Sequence, residues 1–158
     1  YDNLIPHSSL QIPINFASMV LGENLKAVQS SAIFEGGVDI LETIIMNFEG
    51  NKMATLQSGV REISDRMGSI FGTKGYIQVQ NINNPEKITV FNQNHEETAS
   101  YFPPKQITGY EYEVRACKKA LEEGKIECPE MPHAETIRIM KIMDDIRKSW
   151  NYEIPCIE

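Results

Sequence analysis

The sequence predicts an α+β fold, a mostly antiparallel open-faced sheet with helices packed on one face. Two observations predict it. Runs of β-type alternation separated by Gly- and Asn-bearing turns occupy residues 25–91, and helical spacing of apolar residues occupies the last third of the chain. At 158 residues the chain fits a single domain able to bury a core without staples, so 1–158 reads as one α+β domain.

Residues 1–10 contain Pro6 and two serines and show no period, which predicts a loosely organised arm. In the next segment Ile14, Ala17, Val20 and Leu21 lie at helical spacing and Gly22 supplies a C-terminal stop, so a short helix is expected at 13–21. From Leu25 the pattern becomes β, in three runs split by Gly36-Gly37 and by Gly50-Asn51, whose tolerance of positive φ suits a tight hairpin. In the second run, Val38 to Phe48, one face carries Val38, Ile40, Ile44, Met46 and Phe48 interrupted by Glu42. The other carries Leu41, Thr43 and Ile45. A strand apolar on both sides is usually covered on both, by helices on one side and by a further layer or second subunit on the other. Leu41, Thr43 and Ile45 are therefore candidate residues of an oligomer-forming sheet face.

Shorter strands are expected at 68–71, 76–80 and 87–91, and the polar, proline-bearing residues 92–108 read as a long loop. A helix follows with Val114, Cys117, Ala120 and Leu121 on its apolar side and Gly124 at its end. The last helix, from His133, sets Ile139, Ile142, Met143, Ile146 and Trp150 at core spacing, ahead of a short extended tail at 151–158.

Composition excludes several functions. A net charge of −7 with pI near 5.0 argues against a nucleic-acid binder, and the basic clusters at 115–119 and at Arg147-Lys148 lie among acids, as on solvated helix faces. No apolar run reaches about 18 residues and no signal peptide is recognisable, so neither a membrane span nor secretion is expected. Cys117, Cys128 and Cys156 form an odd, widely spaced set without zinc-ligand spacing, as expected of reduced thiols in a cytoplasmic protein. The chain starts at Tyr1 rather than Met, which suggests a fragment or further residues before position 1.

The turn Gly72-Thr73-Lys74-Gly75 has the look of a phosphate cradle, but such a loop needs a following helix whose amides hold the anion. Here Gly75 leads into another strand, so a hairpin with an exposed Lys74 is expected. His95 lacks the second histidine of a metal-binding helix motif, His133 stands at a helix start, and His7 lies in the arm. The carboxylate pairs Glu96-Glu97, Glu122-Glu123 and Asp144-Asp145 are adjacent in sequence and point in different directions. No hydrolase elbow is present. The residues offer no catalytic, cofactor-binding or metal-binding set of their own.

Five segments, at 13–22, 37–59, 69–79, 109–125 and 131–155, resemble in order and wording the C-terminal domain of the Gfo/Idh/MocA oxidoreductases, the superfamily of glucose-fructose oxidoreductase, inositol dehydrogenase and dihydrodiol dehydrogenase. The resemblance implies a substrate-side and oligomerisation domain of an NAD(P)-dependent enzyme acting on a sugar, polyol or diol. It also implies an N-terminal Rossmann domain, absent from these residues, that holds NAD or NADP and a catalytic lysine, and a homo-oligomer formed through the sheet. No cofactor is expected on this chain alone. Just before the first segment, relatives often show Asp, Gly and Tyr or His beside the substrate, where this chain has Ser8, Leu10 and Ile12. No catalytic residue carries over from that motif, and a non-catalytic dimerisation or binding module derived from the same fold is the alternative.

Overall fold

The structure, a computed structural model, describes residues 8–150; the expectations for residues 1–7 and for the tail at 151–158, with His7 and Cys156, lie outside them. The elements in chain order are α1 (Ser8–Leu21), β1 (Leu25–Glu35), β2 (Val38–Phe48), β3 (Lys52–Gly59), β4 (Gly68–Gly72), β5 (Gly75–Gln80), β6 (Lys87–Asn92), β7 (Glu97–Tyr101), α2 (Tyr110–Glu122) and α3 (His133–Ser149). The fold is α+β and its strands pair antiparallel throughout, shared between a three-stranded sheet β1-β2-β3 and a four-stranded sheet β4-β5-β6-β7. These sheets belong to two compact units. The first runs to Glu62 and resumes at His133; the second is Ile63–Pro132.

In the first unit, α1 and α3 cover one face of the three-stranded sheet. Leu10, Ile14 and Ala17 from α1, Ile44, Met46 and Phe48 from β2, Leu56 from β3 and Ile139, Met143 and Ile146 from α3 make one buried cluster. Ile142 and Trp150 flank it half-buried. Helix α1 therefore begins five residues before the expected 13, and Leu10, assigned by sequence to a loose arm, is a core anchor at 1% exposure. The misleading signal is Pro13. Inside the helix it removes one intrahelical hydrogen bond, and the burial of Leu10, Ile14 and Ala17 at i, i+4 and i+7 outweighs that loss. The helix ends at Gly22, φ 101°, whose N–H bonds the Ser18 carbonyl at 2.9 Å, while Lys52 Nζ donates to the Leu21 carbonyl.

Both hairpin turns of this sheet follow the sequence reading. Gly36 and Gly37 have φ 60° and 79°, and Gly50 and Asn51 have 75° and 57°. The strands themselves alternate imperfectly because each of β1 and β2 carries a bulge. Lys26 is the extra residue between the pairs Leu25–Phe48 and Ala27–Asn47, and Ile40 is the extra residue between Phe34–Asp39 and Ile33–Leu41. On each strand the bulge puts residues three apart on one face: Leu25 with Val28, and Asp39 with Glu42.

Arg147, expected on a solvated face, is buried at 6% exposure; its guanidinium pairs with Asp144 and its Nε donates to the Met143 carbonyl at 3.4 Å. Its aliphatic stem gives the helix the apolar cover that a charge-based reading overlooks.

In the second unit, the Gly72–Gly75 turn is the expected strand-turn-strand hairpin, with Lys74 exposed. Gly75 is required there for space, since a Cβ would fall 2.0 Å from the Phe91 carbonyl oxygen of β6. Tyr76 stacks on Phe91 with centroids 4.6 Å apart. The expected loop at 92–108 is shortened by β7, whose backbone pairs with β6 after a turn at His95, φ 63°. Its polar Glu97, Thr98 and Ser100 hid it, because an edge strand gains its hydrogen bonds whatever its side chains are. Helix α2 is not packed as expected: Ala120 is buried, but Cys117 is exposed, as are Val114 at 66% and Leu121 at 77%.

These placements separate two kinds of apolar helix residue. Leu10→Ala is expected to cost about 2–5 kcal/mol, as for other core truncations, and Leu121→Ser less than about 0.5 kcal/mol. Urea unfolding followed by far-UV circular dichroism measures both, and equal costs would contradict the burial described.

Candidate functional site

The two faces of β2 carry the features of functional interest. On the outward face, Leu41 and Ile45 are half-buried and Thr43 is exposed. Antiparallel register lines them up with Ile33 and Gly59, with Ser31 and Gln57, and with Gln29 and Thr55. The result is a mixed apolar and hydroxyl-bearing surface, with Ile33 at 56% and Met53 at 63% exposure near opposite ends. The structure thus puts the three predicted residues together on the face opposite the helices.

The inward face holds a pair that sequence reasoning missed. Asp39 and Glu42 are 2% and 1% exposed. With both groups ionised, neither Asp39 oxygen nor Glu42 Oε2 meets a hydrogen-bond donor. Only a proton on one carboxyl lets it bond to the other. Burial first, then the hydrogen bond to Asp39 and its charge, push the Glu42 carboxyl up to about 9. The pair therefore holds one proton near neutral pH. The carboxylate pairs legible in the sequence are adjacent ones, and three-residue spacing on a regular strand puts side chains on opposite faces. The bulge at Ile40 reverses that parity, and nothing in the local sequence announces it.

The contrasting case is Glu111 at the start of α2. Its carboxylate accepts from the Ile107, Thr108 and Gly109 amides at 2.5, 3.2 and 2.9 Å and from the Thr108 hydroxyl at 3.1 Å. Those bonds, that from Ile107 foremost, hold it down at about 2. An internal carboxylate therefore occupies the amide cluster an anionic ligand would use.

Two shallow clefts lie in the first unit. One of about 300 Å³ sits between β1 and α3, lined by Val28, Ser30, Ile142, Asp145, Ile146 and Ser149 among others; the second, of similar size, surrounds Lys52 and the residues after α1. Neither includes Asp39 or Glu42. Among the described residues no group of three or more His, Cys, Asp or Glu side chains could hold a metal, and no helix is long and apolar enough to cross a membrane. The glycine turn abuts the Phe91 carbonyl, and no helix follows it. On α1, Leu10 is locked in the core and Ile12 is half-buried.

No family model matches the chain. Among curated proteins, it is 31% identical over 142 residues to trans-1,2-dihydrobenzene-1,2-diol dehydrogenase of Xenopus laevis, covering 84% of this chain and 42% of that protein. With the Mus musculus enzyme of the same name it shares 25% over 156 residues, covering 90% and 44%. This chain is a homologue of the dihydrodiol dehydrogenases and other Gfo/Idh/MocA-type oxidoreductases, matching their C-terminal portion. It spans less than half the length of the curated relatives it matches. The same fold is seen in the crystal structure of KijD10, a 3-ketoreductase from Actinomadura kijaniata in complex with NADP. The TM-score is 0.76 at 18% identity, over 89% of this chain and 46% of that one.

The carboxylate pair makes a signed prediction. Glu42 in the unfolded chain ionises near 4.5 and in the fold near 9, so between these values the folded state holds a proton that the unfolded chain has released. The stability contributed by this proton is fully present below about pH 4.5 and is lost as pH rises toward about 9. Glu42→Gln removes that dependence and is expected to raise the melting temperature at about pH 8 while changing it little at about pH 4. Parallel melting curves for the two proteins would contradict the shared proton.

Proposed function

We propose that this chain is the substrate-side and oligomerisation portion of an NAD(P)-dependent oxidoreductase acting on a sugar, polyol or diol. The observation carrying this reading is the alignment with dihydrodiol dehydrogenases over most of this chain and less than half of theirs. The fold shared with an NADP-complexed 3-ketoreductase supports it. The nicotinamide nucleotide and a lysine that relays the proton belong, on this reading, to a Rossmann portion supplied by the remainder of the protein. The described residues contribute a wall of the substrate pocket and an association surface, in the cytoplasm. Self-association runs through the outward face of β1-β2-β3, with Leu41, Thr43 and Ile45 at its middle. An apolar surface of that kind is stabilised when a like surface removes it from water.

A specific observation favours the alternative, a non-catalytic association or binding module that kept the fold. Where relatives often show Gly and then a substrate-side Tyr or His, this chain has Leu10, committed to the core, and Ile12, an apolar residue half-buried on α1. The two readings differ at the level of the whole gene, because only an oxidoreductase requires a strand-GxGxxG-helix unit upstream of Tyr1.

Two measurements test the proposal on this chain. Titration with NADH or NADPH is expected to give no saturable fluorescence or heat; clear saturation would place the nucleotide on these residues after all. Sedimentation at tens of micromolar is expected to show a dimer or larger assembly, and Thr43→Arg to shift it toward monomer with an unchanged circular dichroism spectrum. A monomeric unmodified chain would remove the association role.

A further inference from the structure

The three cysteines read from sequence as isolated reduced thiols, yet the fold brings two of them into contact. Cys117 lies on the exposed side of α2, and Cys128 follows eleven residues later. The chain returns through a hydrogen-bonded reversal. Gly124, φ 67°, ends the helix, its N–H bonding the Leu121 carbonyl at 3.0 Å and that of Lys125 the Ala120 carbonyl at 2.8 Å. This is a Schellman stop, which turns the backbone sharply back along the helix. Cys128 then opens a tight turn through Pro129, closed by the Met131 amide on the Cys128 carbonyl at 3.1 Å. The Cys128 thiol donates to the Cys117 sulfur at 3.8 Å. Each sulfur is thus held from its own side by ordered backbone, and Cys117 is open to solvent.

We propose that Cys117 and Cys128 form a reactive dithiol: reduced, it is a chelating site for a thiophilic trivalent arsenical, and a small-molecule disulfide oxidises it to an intramolecular disulfide. A disulfide bond needs the sulfurs at about 2.05 Å, an approach of under about 2 Å from the observed contact. The step begins at the exposed Cys117. Its thiolate attacks one sulfur of glutathione disulfide, a mixed disulfide forms, and one glutathione thiolate leaves. Cys128 then loses its proton, and its thiolate attacks the Cys117 sulfur, expelling the second glutathione. The protein gives up two electrons and two protons, and the glutathione disulfide gains both as two thiols. The hydrogen bond to Cys117 holds the Cys128 thiol above its usual ionisation range, which suits it to the second, intramolecular attack rather than the first. Oxidation ties the end of α2 to the Cys128–Met131 turn.

The test uses the full chain carrying Cys156→Ser, so that only this pair can react. After glutathione disulfide, both thiols are expected to disappear from a thiol count, the intact mass to fall by two hydrogens with no glutathione retained, and a peptide linking Cys117 to Cys128 to be recovered. Phenylarsine oxide is expected to protect both thiols from alkylation at one equivalent. Adding Cys117→Ser or Cys128→Ser is expected to leave one stably bound glutathione and to weaken arsenical protection at least tenfold. Retention of glutathione on both cysteines, or alkylation at the same rate with and without the arsenical, would overturn the proposal.

Discussion

The first unit depends on the phase of β2. Its inward residues Ile44, Met46 and Phe48 meet α1 and α3, and a strand can present only alternate side chains to such a cover. Keeping that phase while the hairpin closes at Gly36-Gly37 requires a local insertion, and Ile40 provides it. The same residue determines that Asp39 shares the inner face with Glu42. Two carboxyl groups are thereby placed beneath the helices, where a shared proton limits the charge the interior must hold. The outward face, with Leu41, Thr43 and Ile45, keeps regular alternation and remains available for association.

The first unit has a well-packed helix-covered sheet; in the second, the amide cluster at the start of α2 is filled by its own Glu111, and Gly75 of the glycine turn lies against the Phe91 carbonyl. The relatives the chain matches are more than twice its length. A Rossmann-type dinucleotide loop runs from strand to helix, whereas the Gly72–Gly75 turn runs from strand to strand. The role proposed for this portion is that of an association surface and a wall of the substrate pocket.

Where side-chain identity and backbone geometry agree, the sequence was readable. The positive-φ turns at Gly36-Gly37 and Gly50-Asn51, the hairpin at Gly72–Gly75, and the α3 core positions Ile139, Met143 and Ile146 follow directly from glycine, asparagine and 3.6-residue spacing. The failures have physical reasons too. Pro13 looked like a boundary because its cost is local, while the burial that offsets it comes from elements far along the chain. β7 looked like loop because backbone pairing, and not side-chain character, holds an edge strand. Arg147 looked solvated because its charge hides a stem that lies in the interior.

By itself the sequence determined the fold class, the resemblance to one family of oxidoreductases, the hairpin character of the Gly72–Gly75 turn, and the identity of the outward β2 face. These rest on local rules of dihedral freedom and periodicity, which a window of ten or twenty residues contains. Only the tertiary structure decided that Asp39 and Glu42 share a face and a proton, that Leu10 is core, and that Cys117 meets Cys128. Each of those depends on a bulge, a helix stop or a packing partner that shifts parity or reverses direction, and such events join residues that no local pattern pairs.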